Sequence, residues 1–176
     1  MRDLAFLDLE TTGLDPSKHE IIEAAVVRVD GRTLEERAAV SVRIAPMLIG
    51  SADPEALRIN GFDADTWNGS PITEALPRVI PLLGDATLAG HNVARFDLTF
   101  MLAACNALGL AMPRSKYVLD VASLCWPLLV RGEVESLSLA ALCSHFGISN
   151  DGAHGSLADC RRALAVARAV ILGGAS

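Results

Sequence analysis

The spacing of apolar residues changes period along this chain, and the order of those periods is its strongest constraint on fold. Leu4-Ala5-Phe6-Leu7 is a short apolar run, ended by Asp8-Leu9-Glu10 and the turn residues Gly13, Asp15 and Pro16, and it reads as a buried strand. Ile21 to Val29 is apolar and rich in β-branched residues. Asp30-Gly31 is a hairpin signal, and Ala38 to Ile44 then sets Val40, Val42 and Ile44 against Ser41 and Arg43. The three segments predict an antiparallel meander. Beyond it the period becomes helical: Pro54-Glu55-Ala56-Leu57 opens a short helix that Asn60-Gly61 stops, and Ile72, Leu76, Val79, Ile80 and Leu83 share one helical face ahead of Gly84. Thr87 to Gly90 returns to strand, and a long helix runs from about Arg95 to Leu108. Tyr117 to Asp120 is a strand ending in an acid, and Ala/Leu-rich helices follow near Leu137–Phe146 and Ser156–Leu172.

Crossovers between parallel strands are right-handed, so the fourth and fifth strands extend the sheet outward from the first. The expected architecture is α/β, with a five-stranded mixed sheet made of the three-stranded meander plus two parallel strands, and helices on both faces. With 176 residues and no internal repeat or linker, one domain over 1–176 is expected. Apolar residues make up 51% of the chain, with few aromatics, which suits helices packed on a sheet. No window approaches the roughly 18 apolar residues that span a bilayer, and Arg2 and Asp3 interrupt any leader-like start. A soluble chain in the cytoplasm, away from membranes, is the expectation. Cys105, Cys125, Cys143 and Cys160 form no C-x-x-C pair and sit among apolar helical residues, as small buried hydrophobes do.

In α/β sheets, sites collect where strands end and helices begin, which directs attention to the end of the first strand. Asp8 and Glu10 are two apart there, so both side chains point to one face. Taken alone, one acid could cap a turn while the other is solvated. Asp97 begins the helix after the fourth strand, where an acid ordinarily complements the helix dipole. His154 and Asp159 precede and open the last helix, and Asp159 could simply pair with Arg162 one turn on. Together, four carboxylates and a histidine at one edge of one sheet suit oxygen-ligated Mg²⁺ or Mn²⁺ better than zinc. Two such ions could clamp the attacking and leaving oxygens of a phosphodiester displacement, with the histidine as general base. The net charge of −6 opposes a broad basic surface for long nucleic acid, and bound divalent cations would offset part of it.

Phe6-Leu7-Asp8-Leu9-Glu10-Thr11-Thr12-Gly13-Leu14 resembles the first motif of the DEDDh (DnaQ-like) 3′→5′ exonuclease superfamily, which includes the proofreading subunit of DNA polymerase III, ribonuclease T, exonuclease I and oligoribonuclease. Gly90-His91-Asn92 with Phe96-Asp97 resembles the second motif, and His154-x-x-x-x-Asp159 has the spacing of the third. The motifs come in family order, and the likeness covers nearly the whole chain. It implies a ribonuclease-H-like fold in which Asp8, Glu10, Asp97 and Asp159 bind two metal ions. His154 would deprotonate the attacking water, and nucleoside 5′-monophosphates would leave from 3′ ends of single-stranded nucleic acid, DNA favoured over RNA. It also implies that Thr11 lies near the terminal 3′-hydroxyl and that Asn92 and Phe96 help hold the last nucleotides, though Phe96 could equally be core; Arg95, in the longer spacing of the second motif, offers a cation beside the site that suits a phosphate. Two departures stand out: three residues separate Asn92 from Phe96 where the commonest form has two, an insertion like that of exonuclease I, and Arg58-Ile59-Asn60-Gly61-Phe62 lacks the His of the corresponding family segment.

Rival readings are an oligoribonuclease acting on short RNA, a haloacid-dehalogenase-type phosphatase built on Asp8-x-Glu10-x-Thr12, and a degenerate fold that only binds. The phosphatase reading leaves His154 and Asp159 without a role. Few basic residues are available for a long groove, so short single-stranded ends, or affinity borrowed from a partner such as a DNA polymerase, fit the charge better. The apolar composition would allow a homodimer but specifies no interface.

Overall fold

Strand β1 (Leu4–Thr11) is the centre of a five-stranded sheet of order β3-β2-β1-β4-β5, with β2 at Ile21–Val29, β3 at Glu36–Arg43, β4 at Thr87–Gly90 and β5 at Val118–Asp120. The computed structural model describes residues 1–150 and 155–173. β1 to β3 form the antiparallel meander, and β4 and β5 run parallel to β1 on its other side. The expected mixed sheet is therefore present.

Seven α-helices are described: α1 (Pro54–Ile59), α2 (Ile72–Leu83), α3 (Asp97–Leu108), α4 (Val121–Leu124), α5 (Trp126–Val130), α6 (Leu139–His145) and α7 (Ser156–Leu172). Period-two geometry divides the central strands between two cores. Ala5, Leu7 and Leu9 of β1, with Ala24 and Val26 of β2, pack against Leu76 and Val79 of α2 and Met101 of α3. Phe6 with Ala25, Val27 and Val29 packs on the other face against α7 through Cys160, Ala163, Leu164 and Ala167. Each buried Leu, Val or Phe contributes about 1.5–3 kcal/mol, so the two layers together carry the stability of the sheet.

Several boundaries follow from local chemistry. The Asp53 carboxylate accepts from the Glu55 amide and Pro54 takes the first helical position, which starts α1. Pro77 and Pro81 lie inside α2 but on its outer face, leaving Ala75, Leu76, Val79 and Leu83 to the core. β1 continues through its acids to Thr11, and α3 begins at Asp97, two residues after the expected start. α4 and α5 were not anticipated: the Asp120 carboxylate accepts from the amides of Ala122 and Ser123, so the acid ending β5 also caps a one-turn helix. The four cysteines are buried and unpaired, as expected. No described helix is long and apolar enough to cross a membrane.

Candidate active site

Phe6, Asp8 and Glu10 share the α7-facing side of β1, so the register that buries Phe6 also aims both acids inward. Asp159 enters from the first turn of α7, and one carboxylate oxygen from each of Asp8, Glu10 and Asp159 lies within 4.8 Å of the others. These acids come from opposite ends of the chain. Like charges would drive them apart unless packing held them, and here the α7 core against β1 and β2 does so.

Asp97 stands beside this group but outside it. It is 2% exposed, and its Oδ1 accepts from the Leu9 amide at 2.9 Å, a bond reaching into β1 between the other two acids. The longer spacing before Asp97 is absorbed in a turn in which Asn92 O accepts from the amides of both Arg95 and Phe96. Asn92 takes a left-handed conformation there (φ 55°), which Asn tolerates better than most side chains. Just before it, a Cβ on Gly90 would lie 2.6 Å from Leu7 O, so only glycine lets β4 pass this close to β1.

Electrostatics show what this assembly costs. Burial raises the Asp8 carboxyl well above its ordinary range, and Asp97 and Glu10 add to the rise while Arg162 opposes it. Glu10 is pushed up to about 7 by burial and by Glu23, its cross-strand partner in the β1–β2 register. Asp97 is pushed up to about 8 by burial, against the pull of the Leu9 amide. Three acids so disfavoured as anions form a site that a divalent cation would relieve, and an all-oxygen donor set suits Mg²⁺ or Mn²⁺.

Arg162 is the cation already in place. It is 8% exposed, pairs with Asp159, and donates through Nη1 to Asn150 O at 3.2 Å. The i,i+3 pair read from sequence is present, and it coexists with the approach of Asp159 to Asp8 and Glu10. Two further groups escaped sequence reading. Glu23 accepts from Ser156 Oγ at 2.7 Å, tying β2 to the start of α7, and Asp120 adds negative charge beside Asp97 and His91. The signal for Glu23 is its period-two position opposite Glu10, visible only once the β1–β2 register is known.

The remaining expected residues are distributed unevenly. The Thr11 hydroxyl donates to Gly13 O at 2.7 Å, and Thr11 O accepts from Asn60 Nδ2 at 2.8 Å, which brings the Arg58–Phe62 segment against the end of β1. Phe96 is half-buried and packs on Phe100, with ring centroids 5.0 Å apart. Arg95 is exposed and has no ion-pair partner among the described residues. His154 lies outside the described residues.

The chain is similar to known proteins in sequence and in fold. The sequence profile of the RNase_T exonuclease family matches residues 5–167. The DNA polymerase III subunit epsilon of Aquifex aeolicus is 32% identical over 158 residues, covering 87% of this chain and 72% of that protein. Protein NEN3 of Arabidopsis thaliana is 30% identical over 169 residues, and the chain, 94% of which is matched, spans only 33% of it. Among solved structures, exonuclease I of Methylocaldum szegediense superposes with a TM-score of 0.80 at 25% identity, covering 96% of this chain and 40% of that one. E. coli exonuclease I in complex with a dT13 oligonucleotide gives 0.84 at 20% identity, covering 97% and 41%. A profile match over nearly the whole sequence, on the sheet that carries the convergent acids, leaves one conclusion: the chain belongs to the RNase_T exonuclease family.

Proposed function

We propose that this chain is a metal-dependent 3′→5′ exonuclease that hydrolyses the terminal phosphodiester of single-stranded nucleic acid, DNA in preference to RNA, and releases nucleoside 5′-monophosphates. The observation that carries this reading is the convergence of Asp8, Glu10 and Asp159 within 4.8 Å, with Asp97 hydrogen-bonded between the two β1 acids. A structural role would not require four carboxylates gathered at one strand end, one of them buried.

Asp8, Glu10, Asp97 and Asp159 are the residues to hold two divalent cations, with Mg²⁺ or Mn²⁺ matching their oxygen donors. Bound there, the cations would supply the positive charge that stabilises a pentavalent phosphoryl transition state. His154 accepts the proton of the attacking water, and the 3′ oxygen of the penultimate nucleotide departs as phosphorus gains the new oxygen. Arg162 keeps Asp159 turned toward β1, and Glu23 does the same for the α7 N-terminus through Ser156. Arg95, exposed and without a carboxylate partner among the described residues, is available to a substrate phosphate. Thr11, Asn92 and Phe96 are the further residues assigned to the last nucleotides, Thr11 and Asn92 each fixed in a turn and Phe96 packed on Phe100.

The preference for DNA draws on the relatives: E. coli exonuclease I has been solved with dT13 and with dA16, and another relative is a subunit of a DNA polymerase. A polymerase partner would supply substrate affinity that a chain of net charge −6 supplies weakly by itself. The test uses 5′-labelled oligothymidylate and oligouridylate of equal length. With Mg²⁺, the DNA should shorten stepwise from its 3′ end and release mononucleotides faster than the RNA does, and EDTA or His154→Ala should stop it. Internal cleavage, or undiminished activity in EDTA, would refute the reading; faster RNA hydrolysis would assign the same chemistry to short RNA.

A further inference from the structure

We propose that the open edge of β5 is a docking site for an extended segment of a partner protein, consecutively apolar at its centre and acidic on its flanks, which adds to the sheet as a sixth strand.

The two edges of the sheet differ in kind. β3 carries Glu36, Arg37, Ser41 and Arg43 on its exposed positions, and its charges pair back onto the molecule, Glu36 with Arg161, Arg37 with Asp3 and Arg43 with Glu23. Charged, paired side chains of this kind discourage a further strand. β5 is short and carries no charges paired back onto the molecule: Val118 is 38% exposed, Tyr117 just before it 65%, and its one acid, Asp120, is occupied in capping α4.

An apolar cleft lies on each face of this edge, and Val118 borders both. The larger, of about 780 Å³, is on the α3 side, where Leu88, Leu102, Leu110 and Met112 line it. The smaller, of about 520 Å³, is on the α7 side, between Leu4, Leu34, Leu119 and Ile171. A strand added to β5 would send successive side chains to opposite faces, so neighbouring apolar residues would enter the two clefts in turn while the backbone pairs with β5. That arrangement calls for a peptide rather than a rigid surface.

Charge selects the occupant. Arg114 lines the larger cleft, Arg32 lines the smaller, and Lys116 stands over the Tyr117 ring at 5.2 Å. All three are exposed, and none has a carboxylate partner among the described residues. Of the acids at this end of the sheet, Asp3, Asp30 and Asp85 are taken by Arg28 and Arg37, and Glu35 accepts from Thr33 Oγ1 at 3.3 Å. A chain of net charge −6 thus presents unneutralised positive charge along its one apolar strand edge. A second copy pairing edge to edge would set these cations against their own counterparts, whereas acidic flanks on an incoming strand would meet them.

The probe is a fluorescein-labelled peptide, Asp-Glu-Leu-Val-Leu-Val-Glu-Asp, followed by anisotropy in EDTA with the whole chain. Saturable binding is expected. It should weaken at least tenfold with a peptide of the same composition whose acids are central, with one N-methylated at alternate residues, and with the protein variants Arg114→Glu/Lys116→Glu and Leu102→Glu. Those substitutions are at exposed positions, and circular dichroism should confirm an unchanged fold. The proposal is overturned if no saturable binding is seen up to about 1 mM, if N-methylation or charge reversal leaves affinity unchanged, or if oligothymidylate displaces the peptide. It is equally overturned if the chain sediments as a dimer that the peptide dissociates, which would make a second copy the occupant.

Discussion

The two faces of β1 are built from opposite materials and buried to different depths. Toward α2 and α3 the strand presents Ala5, Leu7 and Leu9, and toward α7 it presents Phe6, Asp8 and Glu10. The first face gains free energy from every side chain it removes from water. The second spends part of that gain holding carboxylates together, as the raised Asp8, Glu10 and Asp97 groups show. One strand therefore serves as anchor and as site, and stability on one side tolerates repulsion on the other.

Asp8→Asn breaks the comparison most sharply. We expect it to lower the rate of 3′-end hydrolysis by more than about 10²-fold, since even indirect supports of metal ligands cost 10- to 100-fold. The same substitution should raise the thermal midpoint of the metal-free chain by roughly 2–4 °C, the shift that about 1 kcal/mol of relieved repulsion produces in a chain of this size. Loss of activity with loss of stability would contradict that division of labour.

On the opposite face, Leu7→Ala should destabilise the fold by roughly 2–5 kcal/mol in denaturant titrations. Hydrolysis per folded molecule should stay near the parent value. A rate loss as deep as that of Asp8→Asn, at full folding, would show the two faces to be coupled more tightly than packing alone requires.

Titration gives a smaller effect with a definite sign. Glu10 and Asp97 keep their protons up to about 7 and about 8 in the folded chain, well above the ordinary carboxylate range they have when unfolded. Between that range and about pH 8 the folded chain holds more protons, so metal-free stability is fully present at low pH and falls as pH rises through the folded values. Thermal midpoints in EDTA should be lower at pH 8.5 than at pH 5.5, and Mg²⁺ should recover most of the difference by binding the ionised acids. An EDTA-treated chain that gains stability across this window would contradict the account.

Glu23→Gln should have the smallest effect. Removing the charge opposite Glu10 should move the pH dependence of hydrolysis at low Mg²⁺ downward by less than about one unit, while keeping an acceptor for Ser156. An unchanged profile would remove Glu23 from the electrostatics of the site.

How much of this was legible in sequence depended on distance along the chain. β2 at Ile21–Val29 and α7 at Ser156–Leu172 appear with the bounds that apolar spacing predicts, because local periodicity determines them. α4 and α5 escaped notice because four- and five-residue helices leave too few turns for a period, and the cap that starts α4 is the acid that ends β5. The candidate site residues were named from motif order, and of these the structure brings Asp8, Glu10 and Asp159 together with Asp97 alongside, while His154 lies outside the described residues. Glu23 and the double engagement of Arg162 with Asp159 and Asn150 depend on register and on contacts between distant segments, to which no local pattern points.

The most direct test of the acidic face is a count of Mn²⁺ bound to the whole chain, by electron paramagnetic resonance in the presence of a nucleoside 5′-monophosphate. Two ions per chain are expected, with Asp8→Asn abolishing at least one and Leu7→Ala keeping both. An Asp8→Asn protein that binds as many ions as the parent, with the same affinity, would contradict that expectation.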